Sequence, residues 1–94
     1  MRTALDALLR TLLGERAVAV AAASRAWSSA GVCGERHRLE LRLAGDAADA
    51  LLEGLSEREF ALDRHYVAEI AAVEVERQGS EARLVIEALT IPLD

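Results

Sequence analysis

Three groupings of side chains carry the chemical possibilities of this chain. Cys33 and His37 stand four residues apart, and a thiol near an imidazole is the minimal pair of nucleophile and base. Covalent catalysis also needs a third group to orient the imidazole and donors for a developing oxyanion, and the sequence identifies neither. The pair therefore reads as a loop thiol beside a histidine at a strand edge. His65 and Glu69 would share one face of a helix and offer two metal ligands, whereas on a strand they stand on one side about 13 Å apart, too far to share an ion. Even on a helix they would need His37 as a third ligand. Glu53, Glu57, Glu59 and Asp63 form an acidic run that reads as solvated surface, because carboxylates are seldom buried without partners. No Gly-rich phosphate loop, Ser-centred elbow or paired-carboxylate pattern occurs. The expectation is no catalytic residue, no cofactor and no metal ligand.

The elements that would position these groups follow from periodicity. Leu5, Leu8, Leu9, Leu12 and Leu13 fall on one helical stripe, opened by a Thr3-x-x-Asp6 start signal and closed by Gly14, which predicts a helix over 4–13. Arg16 to Ser28 is ambiguous, since alanine favours helix while Val18 and Val20 alternate with small residues; a strand near 16–24 is the preferred reading. Ser28 to Gly34 reads as a loop. His37 to Leu43 alternates strictly, Leu39, Leu41 and Leu43 against Arg38, Glu40 and Arg42, as a half-exposed strand does. Asp46 and Asp49 open a short helix with Ala47, Ala50, Leu51 and Leu55 on one face.

Beyond it, Val67, Ile70, Val73 and Val75 raise the β-branched content of 65–77, Gln78-Gly79-Ser80 makes a turn, and 82–91 is again strand-like, a β-hairpin closed by Pro92. The competing reading is a helix begun by Ser56-x-x-Glu59 that aligns Leu62, Tyr66, Ile70 and Val73. The resulting order is α-β-β-α-β-β, a single α+β domain over 1–94: an antiparallel four-stranded sheet with two helices packed on one face.

Composition narrows the function classes. Ninety-four residues make one domain that buries roughly 60–65% of its unfolded surface. Hydrophobic residues at 52% and charged residues at 29% exclude disorder. Trp27, Phe60 and Tyr66 are the only aromatics, so the core falls to aliphatic side chains and a partner subunit could supply missing burial. Every basic residue is arginine, asparagine is absent and alanine is abundant, which points to GC-rich coding and a bacterial source. A net charge of −5 with dispersed acidic residues disfavours nucleic acid as a partner. One cysteine allows no intrachain disulfide and fits a reducing, cytoplasmic compartment. Leu5 to Leu13 followed by Ala17 to Ala23 has the look of a signal peptide, but Asp6, Arg10, Glu15 and Arg16 interrupt it, and no run reaches the ~20 apolar residues of a membrane span.

Trp27 is the largest apolar group, placed where the strand gives way to the loop, and is either a core plug, the preferred reading, or an interface anchor. In the last strand Leu84, Ile86 and Ala88 make one apolar row, and Val85, Leu89 and Ile91 make the opposite row apolar too. Helices on one face leave Val85, Leu89 and Ile91, with Trp27, as candidates for contact with a second copy.

The order of elements and several residues resemble the bacteriophage tail-completion family, which also occurs in prophages and gene transfer agents. The similarity runs from the Leu-rich first helix through a small-residue strand into Trp27-Ser28. It continues with Gly34, His37-Arg38-Leu39 opening an alternating strand, an Ala-rich helix, then Leu62, His65 and Val67, and a hairpin ending in Ala88-Leu89-Thr90. Members are usually longer, with a segment between the first helix and first strand that this chain lacks. The resemblance implies a non-enzymatic subunit of a ring that joins tail to head, without cofactor, with itself and tail or head proteins as partners. The alternatives are a small ferredoxin-like dimeric enzyme or ligand-binding protein, with His37, His65 and Tyr66 lining a pocket against the sheet, and a stand-alone adaptor for a partner protein.

Overall fold

The computed structural model describes residues 4–13, 17–57, 60, 62 and 64–93. Its elements are α1 (Ala4–Leu13), β1 (Ala17–Ser29), β2 (Val32–Ala44), α2 (Gly45–Leu52), a short 3-10 turn (Leu55–Glu57), β3 (His65–Gln78) and β4 (Glu81–Pro92). This is the α-β-β-α-β-β order, and the strands form one antiparallel sheet in the order β1-β2-β4-β3. Thr3, Gly14, Glu15, Arg16, Glu59 and Asp63, which entered the sequence reading, lie outside the described residues.

The strict alternation in β2 does what a period of two requires. Leu39, Leu41 and Leu43 are buried opposite Ile86, Leu84 and Ala82 of β4, and this row continues into Ile70 and Ala72 of β3. One buried cluster joins that side of the sheet, here termed the core face, with Leu8 and Leu12 of α1, with Ala47, Ala48 and Leu51 of α2, and with Leu55, Phe60 and Leu62. Arg77 at the far end of β3 reaches α2 through Asp49 at 2.5 Å. Within α2 the buried face is Ala47, Ala48 and Leu51, and Ala50, expected among them, is exposed. The carboxylate of Asp46 accepts from the Ala47 amide rather than standing at the cap position, which Ala44 occupies.

The first hairpin is longer than expected, and the second matches the expected β-hairpin to within a residue at each end. The segment 28–34 is not a loop, because a two-residue turn at Ala30 and Gly31, both with positive φ (50° and 84°), reverses the chain. Turns of that handedness match the twist of paired strands, so pairing runs on to Ser29↔Val32. β1 therefore extends to Ser29 instead of ending near residue 24, and Trp27 lies within it. On the other side, β3 pairs with β4 from His65↔Pro92 to Gln78↔Glu81. That pairing replaces the helical reading of Leu62, Tyr66, Ile70 and Val73.

The edge strands are irregular. β1 is bulged between Ala19 and Ala21, and β3 between Val67 and Glu69 and again between Ala72 and Glu74. A bulge adds one residue and so exchanges the faces of everything beyond it. The first bulge in β3 carries Glu69 away from the side of His65 to a position beside Leu89.

Candidate functional site

Beyond the leucines of β2, the core face changes character. Ser24 of β1 pairs with His37 of β2, and Thr90 of β4 stands one position along. The Ser24 hydroxyl lies 2.6 Å from His37 Nδ1, and the Thr90 hydroxyl 2.7 Å from Nε2. A neutral imidazole has one donor and one acceptor nitrogen, and a hydroxyl can act as either, so both ring nitrogens are satisfied. His37 is 2% exposed and Thr90 fully buried. Burial lowers the His37 pKa, and His65 lowers it further against an opposing effect of Glu35. A histidine that activates serine needs a partner on its other nitrogen able to stabilise the imidazolium, and the uncharged Thr90 hydroxyl does not. The row Ser24-His37-Thr90 satisfies a buried histidine and is a weak base.

The residues singled out in the sequence are not gathered here. Cys33 is exposed near the hairpin tip and four residues along β2 from His37, a spacing of about 13 Å on a strand. His65 and Glu69 are on opposite faces because of the bulge. Tyr66 pairs with Ile91 and so belongs to the face away from His37, which prevents His37, His65 and Tyr66 from lining one pocket. Among the described residues no group of three or more His, Cys, Asp or Glu side chains is placed to hold a metal ion. Among them also, no helix is long and apolar enough to cross a membrane.

The outer face, opposite the core cluster, is built in rows across the four strands. The first row is Trp27, Gly34, Ile91 and Tyr66; the second is Arg25, Arg36, Leu89 and Glu69; the third is Ala23, Arg38, Glu87 and Ala71. Val85 follows between Glu40 and Glu74. Val85, Leu89 and Ile91 are 1%, 4% and 8% exposed yet are not part of the core cluster. Over two of them, Leu89 and Val85, charged side chains span the strand. Arg36 on β2 meets Glu69 on β3 at 3.5 Å across Leu89, and Arg83 meets Glu40 at 2.6 Å and Glu74 at 3.3 Å on either side of Val85. The aliphatic stems of such side chains shield apolar surface while the charged ends stay in water. Arg83 also holds the Glu40 carboxyl below its ordinary range, chiefly through their hydrogen bond. A partner arriving on this face would therefore meet ion pairs and the Trp27 end before it met Val85 or Leu89. Trp27 is half-buried there, with the Arg36 guanidinium 6.0 Å from its ring centre.

Two features escaped the sequence reading. Ser24 and Thr90 as partners of His37 depend on where the first turn falls. Arg25 facing Arg36 depends on the same turn, although Arg36, Arg38 and Arg42 share one row of β2 with Glu40 among them. No known protein family, curated protein or solved structure matches this chain.

His37 also sets a pH dependence. Its folded pKa is depressed, so below the ordinary value near 6.5 the unfolded chain takes up a proton that the folded chain refuses. Stability is then full above about pH 6.5 and falls as the pH drops toward the folded value, where the loss levels off. Urea unfolding between pH 7.5 and 5, an interval of about 2.5 units, should show this decline, and His37→Gln should flatten it. An unchanged slope in His37→Gln would assign the decline to other groups.

Proposed function

We propose that this chain is a non-enzymatic assembly subunit that works by associating with copies of itself. The observation that carries the reading is the outer edge of β1. The first eight residues of that strand, Ala17 to Ser24, include no charge and no proline, and the described side chains from Ala19 to Ala26 are all exposed. Edge strands normally discourage pairing through charge, proline or repeated bulges. β3 carries Glu69, Glu74, Glu76 and Arg77 together with two bulges; β1 has one bulge and small side chains that let another backbone approach. A second copy of β1, adding across a twofold axis, would continue the sheet from one chain into the next. The family resemblance implies a larger form, a ring subunit joining head and tail of a phage-like particle with tail or head proteins as neighbours, which would need a second contact besides this twofold one.

Sedimentation of the wild-type chain and Val20→Lys tests this. Val20 is 47% exposed in the bulge of β1, so lysine there should change stability by no more than about 0.5 kcal/mol. Dimers or larger species at micromolar concentration should dissociate in Val20→Lys. A wild-type chain that stays monomeric, or a variant that associates as well as wild type, would overturn the β1 edge as the contact.

A further inference from the structure

Beside β1, on the outer face, the structure holds a hollow of about 370 Å³ bordered by Ala23, Arg25, Arg36, Arg38 and Glu87. Ser24 and His37, whose side chains leave toward the core face, complete its floor. The hollow exists because Ala23 leaves space beside Arg38 in the third row. Its volume suits a small ligand. We infer that it binds a small anion through a phosphate or carboxylate group, held by Arg25, Arg36 and Arg38.

Arg25 and Arg36 are directly opposed across β1 and β2, and like charges in that position repel. The fold contains a second opposed pair, Arg42 and Arg83, and there Arg83 receives Glu40, Glu74 and Glu76 within 3.7 Å. Arg25 and Arg36 receive only Glu69, which approaches Arg36 at 3.5 Å, and Arg25 has no ion-pair partner among the described residues. Arg38 meets Glu87 through one terminal nitrogen at 2.8 Å, which leaves the other donors of its guanidinium free. Three arginines around a small concavity, with two carboxylates engaged at its rim, leave one positive charge in excess in a chain whose net charge is −5. An anion accepting from two or three guanidinium groups would relieve the repulsion and gain charge-assisted hydrogen bonds. The site uses the outer face of β1 and does not require the self-association proposed above, which uses that strand's outer edge.

Amide-shift titrations with inorganic phosphate and with succinate, at constant ionic strength set by chloride, test the inference and separate the two sources of negative charge. Saturable shifts confined to Ala23–Arg25 and Arg36–Arg38 are expected with at least one of them. Arg25→Gln should weaken that binding about tenfold, the loss of one charge-assisted contact. Arg42→Gln, an exposed arginine outside the hollow, should change it less than twofold, within ordinary surface effects. Non-saturating shifts with both anions, or equal losses in Arg25→Gln and Arg42→Gln, would overturn the site. Sedimentation of Arg25→Gln alongside keeps this outcome separate from the state of association.

Discussion

Replacing Ile86 with arginine should leave the chain unfolded at room temperature. Ile86 lies at the centre of β4 with no exposure, opposite Leu39 on one side and Ala72 on the other, within the core cluster. The guanidinium would have no route to water and no carboxylate within that cluster. Arginine cannot shed its charge, and burying an unpaired ion there costs on the order of tens of kcal/mol before relaxation, more than the total stability of about 5–10 kcal/mol for a domain this small. Leu89→Arg makes the matched control. Leu89 is also buried, but on the outer face beneath the Arg36–Glu69 bridge, so an arginine there can displace that bridge, take Glu69 as its own partner and reach solvent. Circular dichroism with urea titration should find Leu89→Arg folded and cooperative, destabilised by about 1–3 kcal/mol, and Ile86→Arg without a transition. A folded Ile86→Arg together with an unfolded Leu89→Arg would reverse the assignment of the two faces.

Gly34→Ala should cost about 2–4 kcal/mol, far more than one methyl group on a strand would suggest. Gly34 faces Ile91 of β4 in the row that runs from Trp27 to Tyr66. A Cβ at this position would fall against the Thr90 carbonyl oxygen and 2.7 Å from Ile91 Cδ1. The isoleucine can turn aside, but the carbonyl belongs to the backbone of a central strand. Relief would require β2 to separate from β4 where Glu35 meets Thr90. The same movement would disturb the hydrogen bond between His37 and Thr90, so Gly34→Ala should also alter the pH profile attributed to His37. Urea midpoints for Gly34→Ala and Gly31→Ala separate steric crowding from backbone preference. Gly31 is open to solvent with φ of 84°, and alanine there should cost about 1 kcal/mol through strain alone. Equal losses at the two positions would remove the crowding argument.

The parts of this fold that were legible are those that repeat. Leu39, Leu41 and Leu43 alternate with charges, and one row had to face a core whatever else the chain did. The row Leu84, Ile86 and Ala88 followed from the same period. What escaped was decided by single residues that shift a period. Ala30 takes a positive φ that alanine seldom adopts, and with it the first hairpin runs on to Ser29 and Val32 and Trp27 lies within a strand rather than at its end. Ala68 is the extra residue that sends Glu69 to the outer face. The polar row at His37 and the basic hollow at Arg25 both require knowing which residue of β1 stands opposite which residue of β2. That register is fixed by a turn whose Ala-Gly pair lacks the usual asparagine or aspartate signal. The apolar outer row wants burial, and the long charged side chains that reach over Val85 and Leu89 are a tertiary effect that no strand shows alone.

β1 contributes thirteen residues to the sheet, yet its described side chains are exposed throughout except for Trp27. Its attachment therefore rests on the backbone hydrogen bonds to β2 and on the Ser24 and Trp27 contacts, with little apolar burial to reinforce them. Such a strand opens before the rest of the domain does, because local opening follows the surface that each segment buries. In native-state hydrogen exchange the amides of Ala17 to Ala23 should lose protection at a lower free energy than those of Leu39 to Leu43. A neighbouring chain seated on that edge would close the gap, so that the slowing of exchange along β1 with rising concentration becomes a residue-by-residue record of assembly.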